Sequence, residues 1–261
     1  MQFTDQTGYS IILDNLPKRI VSLVPSQTEL LYTLGLQNEV VGITKFCIHP
    51  SSWKQEKTCI GGTKKFRMDT IDELKPDLII GNKEENYQEG IETLRQKYPV
   101  WTSDIANLDE AIDMINQVGT ITGKSEKAKT LTQSILSEFE QLKGSHSSKS
   151  VLYLIWKNPY MAAGKQTFID HMISAAGWTN VVSDTRYPEI NTLEIQQLNP
   201  DLIFLSSEPY PFKEKHINEL QEQLPASKVL LVDGELFSWY GSRLLKTGQY
   251  LNGLREMTDQ L

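Results

Sequence analysis

The sequence predicts an α/β chain in two lobes, each with a parallel sheet, joined by a single long backbone helix. Three observations carry that expectation. Short apolar runs such as Arg19-Ile-Val-Ser-Leu-Val24 and Val151-Leu-Tyr-Leu-Ile155 alternate with helical segments along nearly the whole chain, the grammar of parallel sheets. Residues 125–143 read as one uninterrupted helix. Leu74-Lys-Pro-Asp-Leu-Ile-Ile80 on one side of that helix is echoed by Leu198-Asn-Pro-Asp-Leu-Ile-Phe204 on the other. The lobes are therefore expected at residues 1–122 and 145–261, with the connecting helix in 123–144.

The elements follow in order. Residues 3–13 alternate loosely and suggest an opening hairpin or edge strand. Residues 19–24 are a short β-branched run suited to a buried parallel strand. A helix over 27–34 follows, with Ser26 as its expected cap and Gly35 as its stop. Val40-Val-Gly-Ile-Thr44 is the next strand. Two polar loops come after it, one with Cys47, His49 and Trp53, the other Gly61-Gly-Thr-Lys-Lys65. A helix over 69–74, a strand over 76–80, the loop 81–86, a helix over 87–97, a strand at 100–101 and a helix over 108–121 complete the first lobe.

In the connecting helix Ser125 is a good N-cap and Glu126 suits the positive end of the dipole. Ala128, Leu131, Ile135, Leu136, Phe139 and Leu142 recur at helical spacing as one apolar stripe. A helix of about 19 residues is roughly 28 Å long, a fitting strut. Beyond it the order repeats: strand 151–155, loop 156–161, helix 167–176, a short run at 181–182, loop 183–188, helix 192–198 and strand 200–205. Proline at the first strand position, where a missing N–H is tolerated, suits both copies of the repeated motif. Helix 215–223, strand 229–232, loop 233–242 and a last helix over 243–257 close a second Rossmann-like lobe.

Composition narrows the function. The 261 residues are 39% hydrophobic and carry a net charge of -7, which permits a sizeable core and disfavours a general nucleic-acid binder. No run approaches membrane-spanning length, so no membrane insertion is expected. The opening residues show no charged segment followed by an apolar one; as it stands the sequence reads as cytoplasmic, or as periplasmic with a leader removed. Cys47 and Cys59 lack a metal-binding spacing and read as separate thiols. A monomer is expected.

The motif Arg19-Ile-Val-Ser-Leu-Val-Pro-Ser-Gln-Thr-Glu-Leu-Leu31, the Leu-Lys-Pro-Asp-Leu-Ile-Ile run and the break before one long helix resemble the helical-backbone, class III substrate-binding proteins of ABC importers. The likeness runs from about Arg19 to Leu254 and is strongest to the group whose members bind vitamin B12, haem or ferric siderophores. It implies a ligand of that kind (a corrinoid, haem or ferric chelate) in the cleft between two lobes, with no required cofactor. It also implies aromatics at strand ends, and the matching loops hold His49, Lys64, Tyr160, Tyr187 and Trp239. Where the family leads one to expect tryptophan in the first lobe, this sequence has Thr63-Lys64. Permease docking in the family uses one acidic residue per lobe. Asp69 matches the first position, and the second reads Leu193 with Glu194 beside it.

The loop residues themselves suit an anionic ligand of moderate size. Aromatic faces at Trp156, Tyr160, Tyr187, Trp239 and Tyr240 would stack on a flat ligand, while Arg186 and Arg243 pair with its acids. Cys47, His49, Glu84 and Glu208 carry donor atoms that suit zinc or iron, and His49 could serve as an axial ligand. No nucleophile elbow, P-loop or His-Glu-x-x-His is present, so the expected role is binding and not catalysis. The alternative is a cytoplasmic relative without a permease that binds or acts on a small anionic metabolite, using Glu84 and Glu85 as acid and base.

Overall fold

The computed structural model of the chain describes residues 1–142, 144 and 146–261. Two compact units emerge, one holding Met1–Ile105, Asp109–Gln133 and Tyr240–Arg243, the other Ala106–Leu108, Ser134–Trp239 and Leu244–Leu261.

The first unit opens with an antiparallel hairpin, β1 (Gln2–Thr4) and β2 (Ser10–Ile12). Then come β3 (Ile20–Ser22), α1 (Pro25–Thr33), β4 (Val40–Ile43), α2 (Trp53–Glu56), β5 (Thr58–Cys59), and the small pair β6 (Gly61–Gly62) and β7 (Lys65–Phe66). The series ends with α3 (Met68–Leu74), β8 (Leu78–Asn82), α4 (Gln88–Arg95), β9 (Val100–Ser103) and α5 (Leu108–Ile121). Strands pair in the order β5-β4-β3-β8-β9, all parallel. Every residue of β3 and β8 is buried, which is why these strands read as continuous apolar runs and not as alternating ones. Val21, Leu23, Ile79, Ile91 and Val100 share one core cluster.

Helix α1 starts two residues before the sequence suggests. Val24 is its N-cap, no side chain caps it, and Pro25 occupies the first turn; proline has no N–H there to leave unsatisfied. Ser26 is thus inside the helix and not its cap.

Helix α6 spans Ser125–Glu140. Its residues through Gln133 group with the first unit and those from Ser134 with the second. Ala128, Leu131, Ile135 and Phe139 are buried as the stripe predicts, but Leu136 is exposed. After Glu140 the chain tightens, with Gln141 and Leu142 amides donating to Glu138 and Phe139 carbonyls, the shorter-range bonding common at helix ends. The expected last residue, Lys143, lies outside the described residues.

The second unit follows with β10 (Ser150–Trp156), β11 (Tyr160–Ala162), α7 (Phe168–Ala175), β12 (Thr179–Asn180), β13 (Glu189–Ile190) and α8 (Thr192–Leu198). It ends with β14 (Leu202–Ser206), α9 (Glu214–Gln223), β15 (Lys228–Val232), α10 (Glu235–Ser238) and α11 (Leu244–Thr258). Its six-stranded sheet is mixed. β12 and β14 run parallel to β10, and β15 parallel to β14, whereas β11 runs antiparallel to both of its neighbours, β10 and β13. The sequence implied a purely parallel sheet here. The short link from Trp156 to Tyr160 reverses the chain, since a connection of that length joins only antiparallel neighbours.

The repeated motif has the same physical content in both units. Lys75 and Asn199 each end a helix in the left-handed conformation, at φ 46° and 45°. The strands begin at Leu78 and Leu202, so each proline precedes its strand and does not open it. The aspartate then pins the start of the neighbouring central strand. Asp77 accepts from the amides of Lys18 and Arg19, at 2.8 Å each. Asp201 accepts from the amide and hydroxyl of Ser150, both at 2.7 Å, and these bonds hold its pKa below the usual carboxylate value.

Candidate functional site

In open α/β sheets, ligands bind outside the carboxyl ends of the strands, where strand order reverses. In the first unit that point lies between β3 and β8, and a lattice of side-chain amides organises the loops there. The Asn86 amide nitrogen donates to the carbonyls of Leu23 (3.3 Å) and Thr63 (3.1 Å), and its oxygen accepts from the Asn82 amide at 2.8 Å. Asn82 Oδ1 accepts from the backbone amides of both Glu84 and Glu85, at 2.9 Å. Gly81 is required by this closeness, because a Cβ there would stand 2.8 Å from Asn86 Oδ1.

On this frame sit the first unit's predicted residues. Lys64 is exposed and its ammonium donates to the Glu84 carbonyl at 2.6 Å. Glu85 Oε1 accepts from the Tyr240 hydroxyl at 3.0 Å. Arg243 donates from Nε and Nη2 to the two Glu29 oxygens, at 2.9 and 2.8 Å. This fork geometry makes a strong bidentate pair. Gly241 lies tight against α1, where a Cβ would come within 2.8 Å of the Ser26 carbonyl oxygen. His49 is half-buried, and Phe46 nearby in sequence is 51% exposed with the Lys45 ammonium 4.8 Å from its ring centre.

Cys47 is buried, with its sulfur 3.0 Å from the Thr28 hydroxyl and 3.2 Å from that of Thr44. Burial pushes its thiol pKa up, against the contrary pull of those hydroxyls, so it is not poised as a thiolate ligand. Among the described residues no group of three or more His, Cys, Asp and Glu side chains is placed to hold a metal ion. The donors suggested by the sequence, Cys47, His49, Glu84 and Glu208, do not form such a group.

In the second unit strand order reverses between β10 and β14. Glu208, just past β14, turns its Oε1 to the Trp239 indole N–H at 2.7 Å and the Ser238 hydroxyl at 2.9 Å. Burial raises its pKa in spite of these two donors, and Glu235 and Asp233 add to the rise. Trp239 itself is buried. Trp156 ends β10 and is 40% exposed. Lys157 pairs with Glu219, and Tyr160 is half-buried with its phenol pKa raised by burial. Arg186 is exposed in the left-handed conformation at φ 67°, donates to the Gln166 carbonyl at 3.1 Å and stands 5.8 Å from the Tyr187 ring centre.

Sequence reasoning passed over Tyr210 and Phe212, which with His216 stack beside Trp156. Their signal was Glu208-Pro-Tyr-Pro-Phe212, two aromatics spaced by prolines directly after a strand. Of the acidic residues proposed for docking, Asp69 is exposed in the first turn of α3. Glu194 is exposed but also closes a capping box, accepting from the Asn191 amide at 2.7 Å. Leu193 beside it is 70% exposed.

Two α/β units, each with a strand-order switch point whose loops are fixed by side-chain hydrogen bonds, set the class of architecture. The chain belongs to the Periplasmic binding protein family, whose pattern matches residues 20–230. It is 25% identical over 273 aligned positions to an uncharacterized ABC transporter substrate-binding lipoprotein of Bacillus subtilis strain 168, covering 98% of this chain and 84% of that one. The crystal structure of the periplasmic vitamin B12 binding protein of Vibrio cholerae superposes with a TM-score of 0.80 at 20% identity, covering 94% of this chain and 99% of that one. A periplasmic heme-binding protein from Roseiflexus sp. RS-1 gives 0.80 at 22% identity over 93% and 98%. No helix among the described residues is long and apolar enough to cross a membrane.

Proposed function

We propose that this chain is a substrate-binding protein of an ABC-type importer that takes a corrinoid, haem or a ferric siderophore. Membership of the binding-protein family is the observation that carries the reading, and relatives named as vitamin B12-binding and heme-binding proteins support the ligand class. The role is binding and not catalysis.

His49, Lys64 and Tyr240 in the first unit, and Trp156, Tyr160, Arg186, Tyr187 and Trp239 in the second, are the residues we assign to the ligand. Arg243 was expected among them. Its bidentate pair with Glu29 suits it better to tying residues 240–243 to α1. Asp69 and Glu194 are assigned to the permease.

The test is native mass spectrometry and an absorbance spectrum of the purified protein, followed by titration with cyanocobalamin, haemin and ferric siderophores. Tight binding of one of the three is expected. Failure of all three would sink the ligand class.

A further inference from the structure

We infer that Asn86 is a positioning residue for ligand binding: it closes a ring of hydrogen bonds that holds the Lys64 ammonium ready for a carboxylate on the ligand. That role presupposes the importer reading and the assignment of Lys64 to the ligand, and it adds the chemical group that Lys64 meets.

Lys64 stands where the chain cannot hold itself. Thr63 and Lys64 form the turn between β6 and β7, and each of these strands has only two residues. A lone hairpin of that size is marginal in water, so its tip takes its place from contacts outside it. The Asn86 amide nitrogen donates to the Thr63 carbonyl at 3.1 Å, and the Lys64 ammonium donates to the Glu84 carbonyl at 2.6 Å. Asn82 joins the two ends. Its Oδ1 accepts from the Glu84 amide at 2.9 Å, and its own amide donates to Asn86 Oδ1 at 2.8 Å. The circuit therefore runs from Asn86 through Thr63, Lys64, Glu84 and Asn82 and back to Asn86. A further bond from Asn86 to the Leu23 carbonyl, at 3.3 Å, ties it to the chain just past β3. Asn82 and Asn86 are buried while Lys64 is exposed, so the ring is anchored inside the unit and carries its charge at the surface.

The partner that the ring gives Lys64 is a carbonyl and not a carboxylate. Lys64 is thus fixed without being neutralised, in contrast to Lys83 and Lys97 of the same unit, which pair with Asp104 and Asp72. An ammonium has three donors, so two of them and the whole charge remain for an acid. Charge-assisted bonds to a carboxylate are the strong use of such donors. Holding a long side chain in its bound geometry beforehand also spares the ordering cost otherwise met on binding. Haem and citrate-type ferric chelates carry carboxylates. Esterified porphyrins, neutral hydroxamate chelates and cobalamin, whose side arms are amides, do not.

The experiment titrates wild type, N86A, G81A, K64A and N86A/K64A with haemin, haemin dimethyl ester, ferric dicitrate, a neutral ferric tris-hydroxamate and cyanocobalamin, with a thermal melt of each variant alongside. G81A keeps Asn86 in the chain but brings a Cβ to 2.8 Å from its Oδ1, so it disturbs the ring by a second route where N86A fails to fold. N86A and G81A should weaken whichever carboxylate-bearing probe wild type binds by roughly two- to tenfold. Affinity for any carboxylate-free probe should stay within about twofold. K64A should lose at least as much as N86A, and N86A/K64A no more than K64A alone. A merely structural role for Asn86 would weaken acid and ester alike and would add to the loss in K64A. Either of those results, or unchanged affinity of N86A and G81A for a carboxylate-bearing probe, would overturn the positioning role and leave the importer reading intact. Wild type binding only carboxylate-free probes would do the same. Wild type binding none of the five would overturn both.

Discussion

Replacing Arg243 by methionine removes one half of a bidentate pair that is largely shielded from water. The Arg243 side chain is 9% exposed and Glu29 17%. Breaking a fully buried pair by deleting one partner costs about 3–5 kcal/mol, because a charge is left behind without its partner. The residual exposure of Glu29 lets water relieve part of that, which places R243M near the lower end, about 3 kcal/mol. E29Q strands the more deeply buried guanidinium but leaves it the glutamine carbonyl as an acceptor, and should cost about 2–3 kcal/mol. The double variant E29Q/R243M leaves no uncompensated charge and should cost about 1–2 kcal/mol. The coupling between the sites is then about 4 kcal/mol, and only its sign and its excess over about 0.5 kcal/mol, the scatter of independent sites, are needed for the decision. Urea unfolding followed by far-UV circular dichroism measures all four proteins, read at the transition of the unit that contains both residues. If the two single losses simply add in the double variant, Arg243 and Glu29 do not act as a pair and the account of how residues 240–243 are tied to α1 is wrong.

Asp5 offers a second stability test. Its carboxylate is wholly buried and accepts from the Thr7 amide and hydroxyl, the Tyr9 amide, the Arg95 guanidinium and the Thr102 amide. D5A should therefore lower stability by about 3–5 kcal/mol, and a loss under 1 kcal/mol in urea unfolding would refute its role as anchor of the opening hairpin. Glu208 has a folded pKa raised above its ordinary 4.5 by burial. Its favourable contribution is thus fully present below about pH 4.5 and lost as pH rises through the folded value. E208Q should gain on wild type over that window, and a constant stability gap from pH 4 to pH 7 would count against the buried carboxylate. His216 runs the other way. Its pKa is drawn below 6.5 by burial, so stability is lost as pH falls from about 6.5 through the folded value. A wild-type melting temperature that falls no faster than that of H216F across this range would remove His216 from the aromatic stack as described.

Much of the frame was legible because it rests on local rules. The buried strands β3, β8 and β14 read as apolar runs, and the Pro-Asp repeat marked equivalent turns in the two units. The role of its aspartates was not legible, since Asp77 acts on Lys18 and Arg19, 59 and 58 positions away in sequence. The same distance problem hid much of the site. Glu208 looked like a metal donor because nothing local reveals that Trp239 and Ser238 occupy its oxygen. Tyr240 meets Glu85 across 155 positions, and Arg243 meets Glu29 across 214. The antiparallel strand β11 was missed for a different reason. Tyr160-Met-Ala162 is too short for a period to declare itself, and its pairing with β10 on one side and β13 on the other turns it into a strand.

The first unit is not a continuous piece of chain. Its last four residues, Tyr240–Arg243, arrive after the whole run from Ser134 to Trp239 has been laid into the second unit. During synthesis, which proceeds at about 5–20 residues per second, the first unit therefore waits several seconds with Glu29 still lacking its arginine and Glu85 still lacking the Tyr240 hydroxyl. A fragment ending at Gln133 would stay permanently in that waiting state. The order in which the ribosome delivers the chain makes the residues that finish one unit among the last to be made.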